Sequence, residues 1–159
     1  MTPLVDRVAG RLVERGWRLA LAESCTGGLV AARLTDRPGA SRYLEAGVVT
    51  YSDAAKETVL GVRPGTLADH GAVSEAVAVE MARGVRRLTD VEAAIAITGI
   101  AGPDGGTPDK PVGTVWIAAS AGSTHEVRRF RFEGDRHRIR EDAVRSALEL
   151  LERLLEEET

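Results

Sequence analysis

Residues 91–97 have the sequence VEAAIAI, and the glycine- and proline-rich stretch TGIAGPDGGTPDKPVG follows at 98–113. A continuous apolar run of this length is typical of a strand that is buried on both faces of a sheet. Five glycines and three prolines in the next sixteen positions predict a long loop instead of a further regular element. We therefore predict an interior strand at 91–97 that is covered by helices on both sides.

Strand-like and helix-like segments alternate before and after this run. Short apolar or β-branched segments predict strands, and apolar residues spaced three or four apart predict helices. The predicted strands are 17–22, 45–51, 91–97, 114–120 and 124–132. The predicted helices are 3–15, 29–34, a short helix that carries Lys56 and closes at Gly61 and Pro64, a long helix over 73–88, and a last helix that Asp135 caps. This order predicts an α/β fold, a three-layer α/β/α sandwich. Its sheet is mixed and mostly parallel, has about five strands, and has one strand reversed by a hairpin. A single domain over 1–159 is expected.

Composition and charge exclude several classes of protein. With 21 basic and 24 acidic residues the net charge is −3, which argues against a nucleic-acid-binding protein. The single Cys25 excludes a disulfide framework, the scattered histidines predict no metal site, and the apolar runs are too short to span a membrane. The N-terminus lacks the basic-then-apolar order of a signal peptide, so we expect a cytoplasmic protein.

The sequence AESCTGG at 22–28 lies where a strand turns into a helix. The carboxyl ends of strands in α/β sheets open into ligand crevices, and the start of a helix presents free N–H groups. The small residues here would let a ligand approach that backbone closely. The alternative is structural, with a capping Ser or Thr and two glycines for a tight turn.

The sequence YSDAAK at 51–56 leaves a strand and enters a helix, which places Lys56 about one turn in. Of the 21 basic residues, 19 are Arg and only Lys56 and Lys110 are Lys. A lysine in a partly dehydrated cleft can lose its proton and serve as a base for a serine, whereas arginine cannot. The alternative is a surface lysine. Tyr51 could relay a proton or simply close the strand end.

The loop at 98–113 is the third candidate. It contains no Walker A motif and no dinucleotide-binding fingerprint. Alternating Gly and Pro gives a restrained backbone that suits the wall of a ligand site, and a plain connector is the alternative. Cys25 is expected to be a small buried residue and not a nucleophile. Seven arginines between 128 and 145 form mostly a solvated face, from which one could reach a phosphate.

Four stretches together closely resemble the CinA C-terminal domain family: AESCTGG at 22–28, GVVTYSDAAK at 47–56, GAVSEAVAVEMA at 71–82 and TGIAGPDGGTPDKPVGTVWIA at 98–118. The resemblance covers residues 4–152 and looks like the stand-alone form of the domain. Members of this family with a known activity are nicotinamide-nucleotide amidases. The resemblance implies an α/β/α fold and the hydrolysis of nicotinamide mononucleotide to nicotinate mononucleotide and ammonia.

The resemblance also implies roles for particular residues. Ser24 looks like the nucleophile, Lys56 its general base and Tyr51 an assisting group. Thr98 and Arg140 match positions used around the substrate, with Arg136 and Arg138 as competitors in the same helix turn. The expected substrate-binding set is Thr26, Gly27 and Gly28, whose N–H groups would hold an oxyanion, together with Thr98, Gly99, Gly102 and Arg140.

No metal and no cofactor are implied, and the expected partner is a small pyridine mononucleotide. Neither nucleic acid nor a membrane is expected as a partner, and a homodimer or higher homo-oligomer is the default expectation. Two alternatives stay open. The chain could be a non-catalytic nucleotide-binding regulatory module of the competence or damage-inducible type, or it could be an amidase for another small nucleotide.

Overall fold

A computed structural model describes residues 1–158. Its helices are α1 (Leu4–Arg15), α2 (Leu29–Thr35), α3 (Asp53–Leu60), α4 (Pro64–His70), α5 (Glu75–Thr89) and α6 (Arg136–Glu157), and its strands are β1 (Leu19–Glu23), β2 (Leu44–Val49), β3 (Ala93–Gly99), β4 (Thr114–Ala121) and β5 (Thr124–Arg131). A 3₁₀ turn covers Ala40–Arg42. No helix within residues 1–158 is long and apolar enough to cross a bilayer.

The five strands form one mixed sheet in the order β2-β1-β3-β4-β5. The β1–β2 and β1–β3 pairs are parallel, and the β3–β4 and β4–β5 pairs are antiparallel. Strand β4 therefore runs against the other four, and the hairpin through Gly122 and Ser123 returns the chain to their direction. The predicted fold class, a mixed and mostly parallel sheet between helices, is confirmed.

The two faces of the sheet carry side chains of different size. Toward α1 and α6 the central strands present large residues such as Leu21, Ile95 and Ile117. Toward α5 they present alanines, including Ala94 and Ala96, which pack with Val77, Met81 and Val85. Alternation along a strand sends successive residues to opposite faces, so VEAAIAI supplies an aliphatic face and an alanine face at once.

Helix α5 lies close to its neighbours because of a glycine. A Cβ at Gly84 would lie 2.0 Å from the carbonyl oxygen of Leu60, the last residue of α3. Only glycine permits the backbones of α3 and α5 to approach this closely. The position of α3, which carries Lys56, therefore depends on its contact with α5.

Several boundaries differ from the sequence prediction: β1 begins at Leu19 and not at 17, β3 begins at Ala93 and not at 91, and α5 begins at Glu75 and not at 73. Three further differences have a local explanation or affect the site. Pro64 was expected to close a helix, but it begins α4, because proline fits the first helical turn, where no intrahelical N–H bond is lost. Strand β2 ends at Val49, so Tyr51 lies in the connection before α3 and not in the strand. Strand β3 continues to Gly99, which shortens the expected loop by two residues.

Candidate active site

The carboxyl ends of the three parallel strands meet at one edge of the sheet. In the strand register Glu23 pairs with Val49 on one side and with Ile97 on the other, so Ser24, Thr50 and Thr98 follow at the same level. Two further hydrogen bonds continue the ladder, from Ser24 N to Ile97 O (3.0 Å) and from Thr50 N to Glu23 O (2.9 Å). Three segments that are distant in sequence thus converge at the position where α/β sheets bind ligands.

The loop that carries Ser24 is held by the preceding residue. The carboxylate of Glu23 is buried and accepts hydrogen bonds from the backbone N–H groups of Gly28 (3.2 Å), Val30 (3.0 Å) and Ala31 (3.1 Å). These are N–H groups at the start of α2 that have no partner inside the helix, and a negative charge there is favoured by the helix dipole. Glu23 therefore caps α2 and fixes both ends of the Ser24 loop.

The two glycines of this loop provide its turn. Gly27 and Gly28 have φ values of +58° and +100°, which other residues adopt only with strain. The N–H of Gly27 donates to Ser24 O at 3.0 Å. Because the N–H of Gly28 donates to Glu23, neither glycine N–H is left for a ligand, and within residues 1–158 only Thr26 of the three expected donors has an N–H with no protein acceptor.

Lys56 lies on α3, the helix that follows β2, and its side chain reaches Ser24 in the loop that follows β1. Ser52 caps α3 through its hydroxyl, which accepts from Ala55 N at 3.1 Å, and this sets the helix so that Lys56 turns inward. The Lys56 ammonium nitrogen Nζ lies 3.0 Å from Ser24 Oγ and 2.9 Å from Thr50 O. Only 1% of Lys56 and 7% of Ser24 is exposed, so the contact is shielded from water.

Burial lowers the pKa of Lys56, because an ammonium loses its hydration there, and the nearby carboxylate of Asp53 and the thiol of Cys25 oppose this shift. No carboxylate forms an ion pair with Lys56 in the described part of the chain. A neutral Lys56 amine could donate to Thr50 O and accept the Ser24 O–H through its lone pair. This is the hydrogen-bond arrangement that a serine and its base require.

A cleft of about 180 Å³ opens in front of this pair. Five of the residues predicted for the site line it: Ser24, Tyr51, Lys56, Thr98 and Gly99. The lining residues that sequence reasoning did not assign to the site are Cys25, Asp53, Ala72, Val73, Ala101 and Arg136. The Thr98 hydroxyl donates to Ala72 O at 2.9 Å, which ties the end of β3 to the cleft wall that precedes α5.

The other predicted residues do not line the cleft. Thr26 is fully buried, and Gly27 and Gly28 form the turn. Gly102 contributes only its carbonyl oxygen, which accepts a hydrogen bond from Arg136. Arg140 donates from Nε to Cys25 O (3.1 Å) and from a terminal nitrogen to Thr26 O (3.0 Å). Its guanidinium therefore braces the serine loop from behind, and the structure does not bring it to the cleft.

Arg136 is the arginine of that helix turn that faces the cleft. It donates to Gly102 O at 2.8 Å and to the Tyr51 hydroxyl oxygen at 3.0 Å. The helical pattern shows that 136 and 140 share a face of α6, four residues apart, but not which of them overhangs the cleft. That depends on where α6 begins against the loop at 98–113.

Cys25 lies beside Ser24 but is a poor candidate for the nucleophile. Burial raises the pKa of the Cys25 thiol to about 11, so it stays protonated at neutral pH. Its expected role as a small buried residue agrees with its 5% exposure. Within residues 1–158, no three His, Cys, Asp or Glu side chains are grouped so that they could hold a metal ion.

The fold and the site define an α/β/α domain with a buried serine–lysine pair at the carboxyl edge of its parallel strands. The sequence model of the CinA C-terminal domain matches residues 1–155, and the chain belongs to that family. It is 54% identical over 152 residues to a CinA-like protein of Syntrophotalea carbinolica, covering 96% of this chain and 37% of that protein. It is 49% identical over 145 residues to a putative competence-damage inducible protein of Acetivibrio thermocellus, covering 91% and 35%.

Solved structures of the family have the same fold. A CinA superfamily protein from Klebsiella pneumoniae matches with a TM-score of 0.93 at 47% identity, covering 97% of this chain and 96% of that chain. One from Escherichia coli matches with a TM-score of 0.90 at 40% identity, covering 93% and 86%. The chain spans about a third of the length of the curated relatives named above, 37% and 35%.

Proposed function

We propose that the protein is an amidase that hydrolyses the carboxamide of nicotinamide mononucleotide, giving nicotinate mononucleotide and ammonia. The observation that carries this proposal is the 3.0 Å contact between Lys56 Nζ and Ser24 Oγ, with Lys56 1% exposed. A buried lysine with a lowered pKa beside a serine hydroxyl costs stability that simple packing would not require. An acyl transfer through Ser24 uses both groups.

In the first half of the proposed reaction, the neutral Lys56 amine accepts the proton of Ser24 Oγ while that oxygen attacks the carboxamide carbon. The tetrahedral intermediate has a negatively charged oxygen, which the newly protonated Lys56 beside Ser24 stabilises electrostatically. Protonated Lys56 then gives its proton to the amide nitrogen, the C–N bond breaks and ammonia leaves. An ester between Ser24 and the nicotinoyl group remains.

In the second half, water attacks the ester carbonyl and gives a proton to Lys56. The C–O bond to Ser24 breaks, and Lys56 returns the proton to Ser24 Oγ. The carbonyls of Thr50 and Tyr51, 2.9 Å and 3.4 Å from Lys56 Nζ, keep the amine oriented through both halves. The Tyr51 hydroxyl, at the cleft wall, is the proposed assisting group for the proton that reaches ammonia. The steps require no group from outside the chain except substrate and water.

Ammonia release tests the proposal. The purified protein is incubated with nicotinamide mononucleotide at neutral to mildly alkaline pH, with Ser24→Ala as the matched control. We expect release by the wild type and none by the variant, while the variant still binds the nucleotide. Release of ammonia by Ser24→Ala at the wild-type rate would remove Ser24 from the reaction.

A regulatory nucleotide-binding module is the contrasting proposal, and the names of relatives such as the putative competence-damage inducible protein are what support it. Such a module needs a cleft but no serine–lysine pair. Binding of the nucleotide without any ammonia release would favour it. Release of ammonia from a different small nucleotide, but not from nicotinamide mononucleotide, would keep the amidase and change its substrate.

A further inference from the structure

We infer that Arg136 is the anion anchor of the cleft and makes the enzyme selective for a phosphorylated amide over its uncharged riboside; this rests on the proposed amidase function. Three arginines, Arg136, Arg138 and Arg140, lie within one and a half turns of α6, and their contacts separate them. The three arginines differ in what each guanidinium already binds and in whether it lines the cleft.

Arg138 and Arg140 are occupied elsewhere. Arg138 pairs with the Asp142 carboxylate at 3.1 Å, and 69% of its side chain is exposed. Arg140 donates to the carbonyls of Cys25 and Thr26 and does not line the cleft. Neither guanidinium can reach a ligand in front of Ser24 without giving up these contacts.

Arg136 lines the cleft, and the groups to which it donates are uncharged. Its two partners, Gly102 O and the Tyr51 hydroxyl, are neutral, and no carboxylate within residues 1–158 pairs with it. Of the five N–H groups of the guanidinium, one on each terminal nitrogen is used, so the Nε–H and one N–H on each terminal nitrogen remain for a ligand. Two parallel N–H groups on one edge of a guanidinium match a phosphate bidentately.

The other charged groups of the cleft fit an anion at Arg136 as well. Besides Lys56, Arg136 is the cation that lines the cleft, and Asp53 is the carboxylate. Asp53 lies at the start of α3, near Lys56. An anion is thus favoured at the Arg136 end, which leaves the uncharged carboxamide of the same substrate for the Ser24 end.

A neighbouring cleft provides the rival anchor. It shares Val73 with the first cleft and contains Lys110 and Arg129, but also Glu75 and Asp109. Lys110 Nζ donates to His70 O at 2.6 Å, and Arg129 donates to Asp109 O at 2.8 Å. Two carboxylates beside the two cations make this the weaker anion site.

The test compares a nucleotide with its riboside. kcat/KM is measured for nicotinamide mononucleotide and for nicotinamide riboside with the wild type, Arg136→Ala, Tyr51→Phe and the control Arg138→Ala. In Arg136→Ala we expect KM for the nucleotide to rise about 10- to 100-fold, which is the loss of a charged hydrogen-bonded contact, with kcat/KM for the riboside within about threefold of the wild type. Tyr51→Phe and Arg138→Ala should keep the wild-type preference for the nucleotide.

Equal losses for both substrates, or no loss, in Arg136→Ala would overturn the anchor while the amidase stands. A preference lost in Lys110→Met but kept in Arg136→Ala would overturn it in favour of the rival cleft. If the wild type releases no ammonia from either compound, the proposed function fails. The anchor is then tested separately by calorimetric titration of nicotinamide mononucleotide into two proteins, the Ser24→Ala variant and the double variant that also carries Arg136→Ala. A 10-fold weaker Kd in the double variant supports it, and equal or undetectable binding in both overturns it.

Discussion

Lys56 Nζ lies 3.0 Å from Ser24 Oγ, although the two residues are 32 positions apart in the chain. The two side chains reach each other because β1 and β2 are parallel neighbours, so the loop after β1 and the helix after β2 start at the same edge of the sheet. The register of this pairing, Glu23 opposite Val49, fixes the separation. The contact between Ser24 and Lys56 therefore depends on the strand pairing as much as on the two side chains.

Replacement of Lys56 by arginine should nearly abolish turnover. Arginine can still donate to Thr50 O, but it stays positively charged and cannot act as a base at any accessible pH. We expect kcat to fall by about 10²- to 10⁴-fold, the range of general-base catalysis, in an assay of ammonia release. Lys110→Arg, at the other lysine, is the matched control and should keep the wild-type rate. A Lys56→Arg enzyme with a normal kcat would show that Lys56 is not the base.

The rate should depend on pH through the same lysine. The pKa of Lys56 is lowered from 10.5 by burial, and the base must be unprotonated to accept the Ser24 proton. kcat/KM should therefore rise with pH through a pKa below 10.5 and level off above it. A rate that falls as the pH rises toward 10.5 would contradict the role of Lys56 as a base.

Stability should follow pH through the same group. Between the lowered pKa of folded Lys56 and its ordinary unfolded value of 10.5, the unfolded state binds more protons, so the free energy of unfolding rises with pH in this window. Lys56→Met has no amine and should lose this rise. Urea unfolding of both proteins at several pH values provides the comparison, and parallel curves would mean that Lys56 titrates alike in both states.

Some parts of this site could be predicted from the sequence and others could not. The apolar run VEAAIAI and the alternation of elements predict the fold class, and the strand-to-helix junctions predict that Ser24 and Lys56 lie at the carboxyl edge. Neither pattern gives the side-chain directions on α6. Whether Arg136 or Arg140 lines the cleft depends on the packing of α6 against two loops that are distant in sequence.

The role of Glu23 also escaped the sequence pattern. It ends a strand of apolar residues, and a glutamate there has no periodic signature, because its three partners are backbone N–H groups. The same is true of Pro64, whose ring is compatible with the end of one segment and the start of the next. The local sequence limits the structural roles that Glu23 and Pro64 can have, and the tertiary contacts decide which of those roles each residue takes.

Glu23→Gln should lower both stability and turnover. The amide keeps one acceptor oxygen but turns an NH₂ group toward a backbone N–H, so a buried donor loses its partner. The expected loss in the free energy of unfolding is about 1–3 kcal/mol. Because the Ser24 loop is then less firmly held, kcat should fall at temperatures where the variant is fully folded. The control is Glu14→Gln on the exposed side of α1, and a folded Glu23→Gln enzyme with wild-type kcat would contradict the positioning role.

Two glycines in helices should respond to alanine in opposite directions. At Gly84 a Cβ would lie 2.0 Å from Leu60 O, so alanine must push α3 away from α5. At Gly10, inside α1, nothing lies within 4 Å of the added Cβ, and alanine should stabilise the protein by about 0.5–1 kcal/mol through its helix propensity. Thermal unfolding of both variants measures the contrast.

The same pair separates stability from catalysis. Because Leu60 and Lys56 belong to one helix, a displaced α3 moves Lys56 Nζ from Ser24 Oγ, and a shift of about 1 Å can cost a hundredfold in rate. Gly84→Ala should therefore lose turnover even at temperatures where it is fully folded, whereas Gly10→Ala should keep it. If Gly84→Ala were destabilised but retained its kcat, α5 would absorb the displacement and the α3–α5 contact would not set the serine–lysine distance.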